Sequence, residues 1–201
     1  MLNISLADRL LVLGWLLLIA DNAYRGWRAA PGRVTLGEVV AGRQRPPLAL
    51  RLLFVALLGW GTVTLERHTG GATPPPVLVG AGLVLFGAAL ALHDWARRAL
   101  GPYWSDVVAI RAHHAVVVTG PYAVVRHPIY AAILLAAVAS LLVHPSPAIA
   151  ALASGLTVGI ALKIRREERL LNATLGADYR QYAARVPALL PAWRRASDRR
   201  Q

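Results

Sequence analysis

Apolar runs of sixteen to nineteen residues, separated by more polar stretches of which alternate ones are arginine-bearing, set the pattern of this 201-residue chain. A helix needs about 20 residues to cross the hydrocarbon core of a bilayer, and somewhat fewer when charged flanks snorkel to the surface. Five runs approach that length: residues 2–20, 48–65, 77–92, 128–143 and 148–163. The first is the weakest, because Asp8 and Arg9 interrupt it, and Arg51 lies near enough to the end of the second to snorkel. The helix-breaking "TPPP" precedes the third run, and "HPSP" separates the fourth from the fifth. Without that second break the uncharged stretch would form a single helix of roughly 50 Å, far longer than a bilayer core. A tight pair of antiparallel helices is the better expectation. The pattern thus predicts an all-α fold, an integral membrane helical bundle of about five transmembrane helices forming one domain over 1–201.

Composition supports that reading. Hydrophobic residues make up 56% of the chain, charged ones only 16%, and the mean hydropathy is +0.48. A soluble domain of this size needs a more polar surface. The net charge of +12 raises a nucleic-acid partner, but the basic residues alternate with apolar runs and build no basic domain. Cysteine is absent, which excludes disulfides and thiolate metal sites. A cleaved signal peptide is not expected, since Arg9 is the only basic side chain before Leu10 and no convincing small-x-small cleavage site follows. Under five spans, nineteen of the 22 basic residues fall on one side. The positive-inside rule makes that side cytoplasmic, with the amino terminus outside and the carboxy terminus inside an inner or plasma membrane.

Two cytoplasmic segments hold most of the polar content suited to chemistry: the loop 93–127 and the tail 163–193. Both join the last helical pair, so they should meet in space. In the loop, "VVAI" and "AVVV" flank "RAHH" as a possible small hairpin, and "TGP" marks a turn. Pro128 suits the first position of a helix, which puts His127 at the cap. Free N–H groups and a partial positive charge make that helix start welcoming to an anion, and Arg126 and His127 add to the attraction. Arg126 also reads as an ordinary interfacial anchor, and His127 as a mere cap.

In the tail, "RREER" continues the fifth helix beyond the membrane. Glu167 and Glu168 are neighbours about 100° apart on a helix, so at most one is expected to face a given pocket. Taken alone, they read first as a solvated face of ion pairs. "LG" at 175–176 reads as a helix stop before a short amphipathic helix, with Tyr179, Tyr182 and Val186 on one packing face. His113 and His114 are adjacent, lack a third ligand and predict no metal site. No catalytic triad, phosphate loop or dinucleotide fingerprint is present. Small residues in "AAILLAAVAS" and around Gly155 and Gly159 serve close helix packing.

Three blocks together, "LGPYWSDVV", "VVVTGPYAVVRHPIY" and "EERLLNATLGADYRQYAARVPALLP", resemble the isoprenylcysteine carboxyl methyltransferase family and its bacterial relatives. The resemblance covers about 93–193, roughly half the chain. The family often has a basic residue where Ala123 stands, a glycine at or near Ala132 and an aromatic where Leu175 stands. The first two spans, within 1–75, match no motif, and the methyltransferase-like core is expected over 76–195. The resemblance implies a membrane-embedded, S-adenosylmethionine-dependent methyltransferase, with the cofactor entering from the cytosol and a lipophilic acceptor from the bilayer. It implies cofactor contacts at Tyr122, His127, Pro128, Tyr130 and one or both of Glu167 and Glu168. Arg126 becomes the candidate catalytic residue, holding an anionic acceptor by charge and forked donors. The partners implied are a lipid or other lipophilic small molecule and the bilayer, with no nucleic acid and no metal. The alternatives are an NADPH-dependent membrane reductase, whose known examples are longer, and a non-enzymatic scaffold.

Overall fold

The structure is a computed structural model and describes residues 5–28, 39–41, 73–100, 110–111 and 116–191. Among the described residues four α-helices carry it: α1 (Leu6–Arg28), α2 (Pro76–Leu100), α3 (Pro128–Val143) and α4 (Pro147–Arg185). Helices α2 and α4 are long and apolar enough to cross a membrane, and α3 is apolar but shorter. The expected span 48–65, His113, His114 and all but the first residue of "LGPYWSDVV" lie outside the described residues.

Strand structure is confined, among the described residues, to β1 (Val39–Ala41) paired antiparallel with β2 (Ile110–Arg111). This corrects the local hairpin expected around "RAHH". Residues 116–118 are irregular, and Ile110–Arg111 pair instead with a segment some seventy residues earlier. "RAHH" offers neither the glycine nor the asparagine that a tight two-residue hairpin turn demands.

Asp8 does not interrupt the first helix but starts it. The Ser5 hydroxyl accepts from the Asp8 N–H at 3.2 Å, and the Asp8 carboxylate accepts from the Ser5 N–H at 3.1 Å. That reciprocal pair satisfies donors that a helix start leaves open. The other Asp8 oxygen meets Nδ1 of His144, just past the end of α3, at 3.1 Å.

Helix α3 packs chiefly against α2, and Gly82 allows the close approach. A Cβ at Gly82 would stand 2.7 Å from Val143 Cγ2 and 3.0 Å from the Ala139 carbonyl, so only glycine fits. These contacts join the start of α2 to the end of α3, making the two helices antiparallel. Helix α1 lies across both: Trp15 donates to Ser140 Oγ at 3.1 Å and meets the Phe86 ring edge-on, with centroids 5.9 Å apart. At its far end Asp21 pairs with the buried Arg97 of α2 at 2.7 Å. Helix α1 therefore starts near the end of α3 and finishes near the end of α2, parallel to α2. In lipid, where burial of apolar surface drives little, such close packing and polar bonds hold helices together.

Helix α4 begins at a sequence-legible cap, Ser146 accepting from the Ile149 N–H at 3.2 Å, with Pro147 at the first position. It breaks at Gly176, whose φ of 55° and ψ of −119° glycine adopts without a Cβ penalty. The stop expected at "LG" is thus a sharp break inside a longer helical run, after which the chain turns back over the start of α3.

Candidate active site

The start of α3 is built by its sequence. Pro128, fully buried, takes the first helical position, where its missing N–H costs nothing. His127 is the cap residue, yet its side chain makes no cap bond and is free to turn toward α4. The backbone N–H groups of Arg126 and His127 donate to the carbonyls of Pro187 and Ala188 at 2.8 and 2.9 Å. The loop before α3 is therefore stitched to the chain that follows α4.

Side chains tighten the same seam. The Arg126 guanidinium donates through Nε and Nη2 to Glu168 Oε1 at 3.0 and 2.6 Å. Its Nη1 donates to the carbonyls of Ala183 and Val186 at 2.9 and 2.5 Å. Those carbonyls belong to the last turn of the helix, where acceptors are left open and a cation is favoured. Tyr182 donates its hydroxyl to the Tyr122 carbonyl at 2.7 Å, anchoring the 3₁₀ turn Gly120–Ala123 to the tail. The Tyr179 hydroxyl is buried beside Glu168 and Arg126.

His127 stands between the two glutamates. Its Nε2 lies 3.2 Å from Glu168 Oε1, and its Nδ1 lies 3.8 Å from Glu167 Oε2. A carboxylate only accepts, so the shorter contact assigns the imidazole proton to Nε2 in the neutral ring. Tyr130 donates its hydroxyl to Glu167 Oε1 and stacks on His127, the ring centroids 5.7 Å apart. Lys163 Nζ sits 5.2 Å from the centre of the Tyr130 ring. The expectation that only one of Glu167 and Glu168 faces a given pocket is corrected. Two long side chains about 100° apart on α4 close around one imidazole.

Burial and charge set the protonation of this cluster. Burial works to raise the Glu168 carboxyl, but hydrogen bonds from Arg126 and His127, with their charges, outweigh it and hold the group below its usual range. Burial pushes His127 below its ordinary value of 6.5, against the pull of Glu168 and Glu167 and with the help of Arg126. The Tyr122 phenol is raised by burial in the field of Tyr182 and Glu167, and Tyr179 and Tyr182 are each pushed up by burial to about 12. At neutral pH Glu168 is therefore a carboxylate and His127 a neutral imidazole.

All seven residues singled out in the sequence, Tyr122, Arg126, His127, Pro128, Tyr130, Glu167 and Glu168, gather at this end of the bundle. Arg126, however, spends its guanidinium on Glu168 and two carbonyls. The sequence reading left out Tyr182 and Tyr179, which it took as a packing face, and Lys163. The "YxxY" spacing after Gly176 was the visible signal. The carbonyl acceptors at Ala183 and Val186 carry none, because backbone groups leave no mark in a sequence.

A helical membrane protein with a polar, titratable cluster where two apolar helices emerge is the class these features define. Residues 80–173 match the family model described as the isoprenylcysteine carboxyl methyltransferase (ICMT) family. Both halves of the cluster, Tyr122–Tyr130 and Glu167–Glu168, lie inside the matched stretch, whereas Tyr179, Tyr182 and the carbonyl seam follow it. No curated protein matches the chain.

Proposed function

We propose that the protein is a membrane-embedded, S-adenosylmethionine-dependent methyltransferase acting on a lipophilic acceptor, with the carboxylate of an isoprenylcysteine-like molecule as the acceptor class. The observation that carries the cofactor reading is the gap between His127 Nδ1 and Glu167 Oε2. With the proton on Nε2, these are two acceptors 3.8 Å apart, and no donor among the described residues bridges them. A ligand bearing an ammonium or hydroxyl donors suits that arrangement, and S-adenosylmethionine carries both. Glu167 is the better placed of the two glutamates, because Glu168 Oε1 already takes Arg126 twice and His127 once.

Bound there, the cofactor would supply a methyl group already activated by its sulfonium, passed to an acceptor oxygen as the carbon–sulfur bond breaks and its electrons return to sulfur. The chain's own task is alignment and exclusion of water. His127 and Glu167 would hold the cofactor's donors, and the N–H groups at Pro128 and beyond would receive its carboxylate. Tyr122 and Tyr130 would flank the adenine. Arg126 acts by position, fixing Glu168 and the tail so that His127 keeps its orientation. Under five spans, the basic residues favour an outside amino terminus and a cytoplasmic site in the core 76–195.

Binding to the detergent-purified full chain tests this reading. Saturable binding of S-adenosylhomocysteine is expected, lost in His127→Ala and Glu167→Gln variants that keep their helical content. Selective binding of NADPH instead would make the protein a reductase, and binding of neither nucleotide would leave a scaffold.

A further inference from the structure

Two adjacent arginines near the end of α2 meet different fates. Arg98 is exposed and pairs with Asp94 one turn back, a surface bridge of little worth. Arg97 turns inward: its side chain is 1% exposed, and its Nη1 donates to Asp21 of α1 at 2.7 Å. Drying a guanidinium costs about as much as such a pair returns, so the contact is a poor device for stability alone. Its better use is to fix the position of a charge.

That charge lies behind the candidate site. Gly120, at φ 59°, brings the turn Gly120–Ala123 onto the end of α2. A Cβ there would stand 3.3 Å from Ala99 Cβ and 3.4 Å from Trp95 Nε1, so the turn and the helix are in close contact. Arg97 belongs to the same stretch of α2, and its charge acts on the buried Tyr122 phenol in the opposite sense to that of Glu167. Tyr122 is also held from the tail, through the bond of its carbonyl to Tyr182. The turn is thus tied to α4 on its backbone and rests on α2 beside an arginine that α1 holds in place. Helix α1 ends well before the stretch 80–173 that matches the family model. A helix outside that stretch therefore reaches the cluster in two steps, from Asp21 to Arg97 and from Arg97 to the Tyr122 turn.

We propose that Asp21 is a positioning residue for the cofactor site, fixing the Arg97 guanidinium beside the turn that carries Tyr122, so that α1 is a working part of the site and not only a membrane anchor. This rests on the cofactor reading above and adds a residue of α1 to it. Coupling of this kind is reciprocal: what Asp21 does for cofactor binding, the bound cofactor does for the end of α1.

The test uses the full chain in detergent with S-adenosylhomocysteine as the probe. Asp21→Asn keeps the shape of the side chain and should weaken binding at least about fivefold, the lower end of ordinary coupling between sites. Asp21→Glu restores the charge at a partly exposed position and should bind within about twofold of wild type. Gly82→Ala, which disturbs the far end of α2, should lower the melting temperature and leave the affinity unchanged, separating positioning from general loss of stability. Hydrogen exchange on the wild type reads the reciprocal effect without any substitution. Saturating S-adenosylhomocysteine should slow the amides of residues 20–26 at least about twofold and leave those of 6–12 unchanged. Unchanged affinity in Asp21→Asn, an equal loss in Asp21→Glu or in Gly82→Ala, or no slowing of exchange near Asp21 would each overturn the proposal. A wild type that binds no S-adenosylhomocysteine fails the cofactor reading and this proposal with it, whereas binding without the Asp21 effect fails this proposal alone.

Discussion

Replacing Glu168 by glutamine keeps the shape of the side chain and removes its charge. In the native site one oxygen takes two guanidinium donors at 3.0 and 2.6 Å and the His127 ring at 3.2 Å. The Arg126 and Glu168 side chains are 13% and 26% exposed, so the pair is neither a surface bridge nor fully dry. Stranding one member of a buried pair costs about 3–5 kcal/mol, and an exposed pair is worth under about 1. A loss of about 2 kcal/mol lies between these limits and corresponds to roughly 4–8 °C in melting temperature for a chain of this size. A thermal melt of the detergent-purified protein reads it. Glu168→Gln, Arg126→Met and their combination form a cycle in which a coupling of about 1–3 kcal/mol is expected. The pH dependence gives a second check. The Glu168 carboxyl is held below its ordinary 4.5, so its contribution is present above that pH and is lost as pH falls through the depressed value. The variant should lack that loss. Melting of Glu168→Gln within about 1 °C of wild type, or no coupling with Arg126, would refute the clamp.

The remaining predictions concern the other joints. His127 resists protonation in the folded state, so wild-type stability should decline as pH falls below about 6.5, and His127→Gln should flatten that part of a melting-temperature profile. Tyr182→Phe should cost about 1 kcal/mol in the same melt by freeing the Tyr122 carbonyl, and should weaken S-adenosylhomocysteine binding by calorimetry. Gly82→Ala should lower the melting temperature by an amount equivalent to about 1–3 kcal/mol, because the added methyl meets Val143 and the Ala139 carbonyl. Gly176→Ala forces a side chain into a backbone conformation at φ 55° and should cost about 1 kcal/mol, read by chemical denaturation.

The start of α3 was legible to the residue, because proline at the first position and an apolar run leave few alternatives. So was the stop at Gly176, for the reason that glycine tolerates a backbone other residues resist. Asp8 misled, since a charge in an apolar stretch looks like an interruption when its capping partner, Ser5, is read as part of the same run. The glutamates misled through geometry: directions at the helix axis differ, but long flexible stems bring both carboxylates to His127. Arg126 was placed correctly and its partners were not, since two of them are carbonyls of a segment some sixty residues away. What a one-dimensional pattern shows well is local preference; what it hides is which distant backbone group answers a side chain.

The seam between the Arg126–His127 backbone and Pro187–Ala188 also bears on the order of events during synthesis. Helix α3 and its arginine leave the ribosome long before the carbonyls that will receive them exist. Until then the guanidinium has only water, lipid headgroups or Glu168 to turn to, and the imidazole has no fixed orientation. The cluster is therefore completed last, by a short segment beyond the apolar helices, and a chain shortened after Arg185 would keep the four described helices and the Arg126–Glu168 pair yet lose the acceptors at Val186, Pro187 and Ala188.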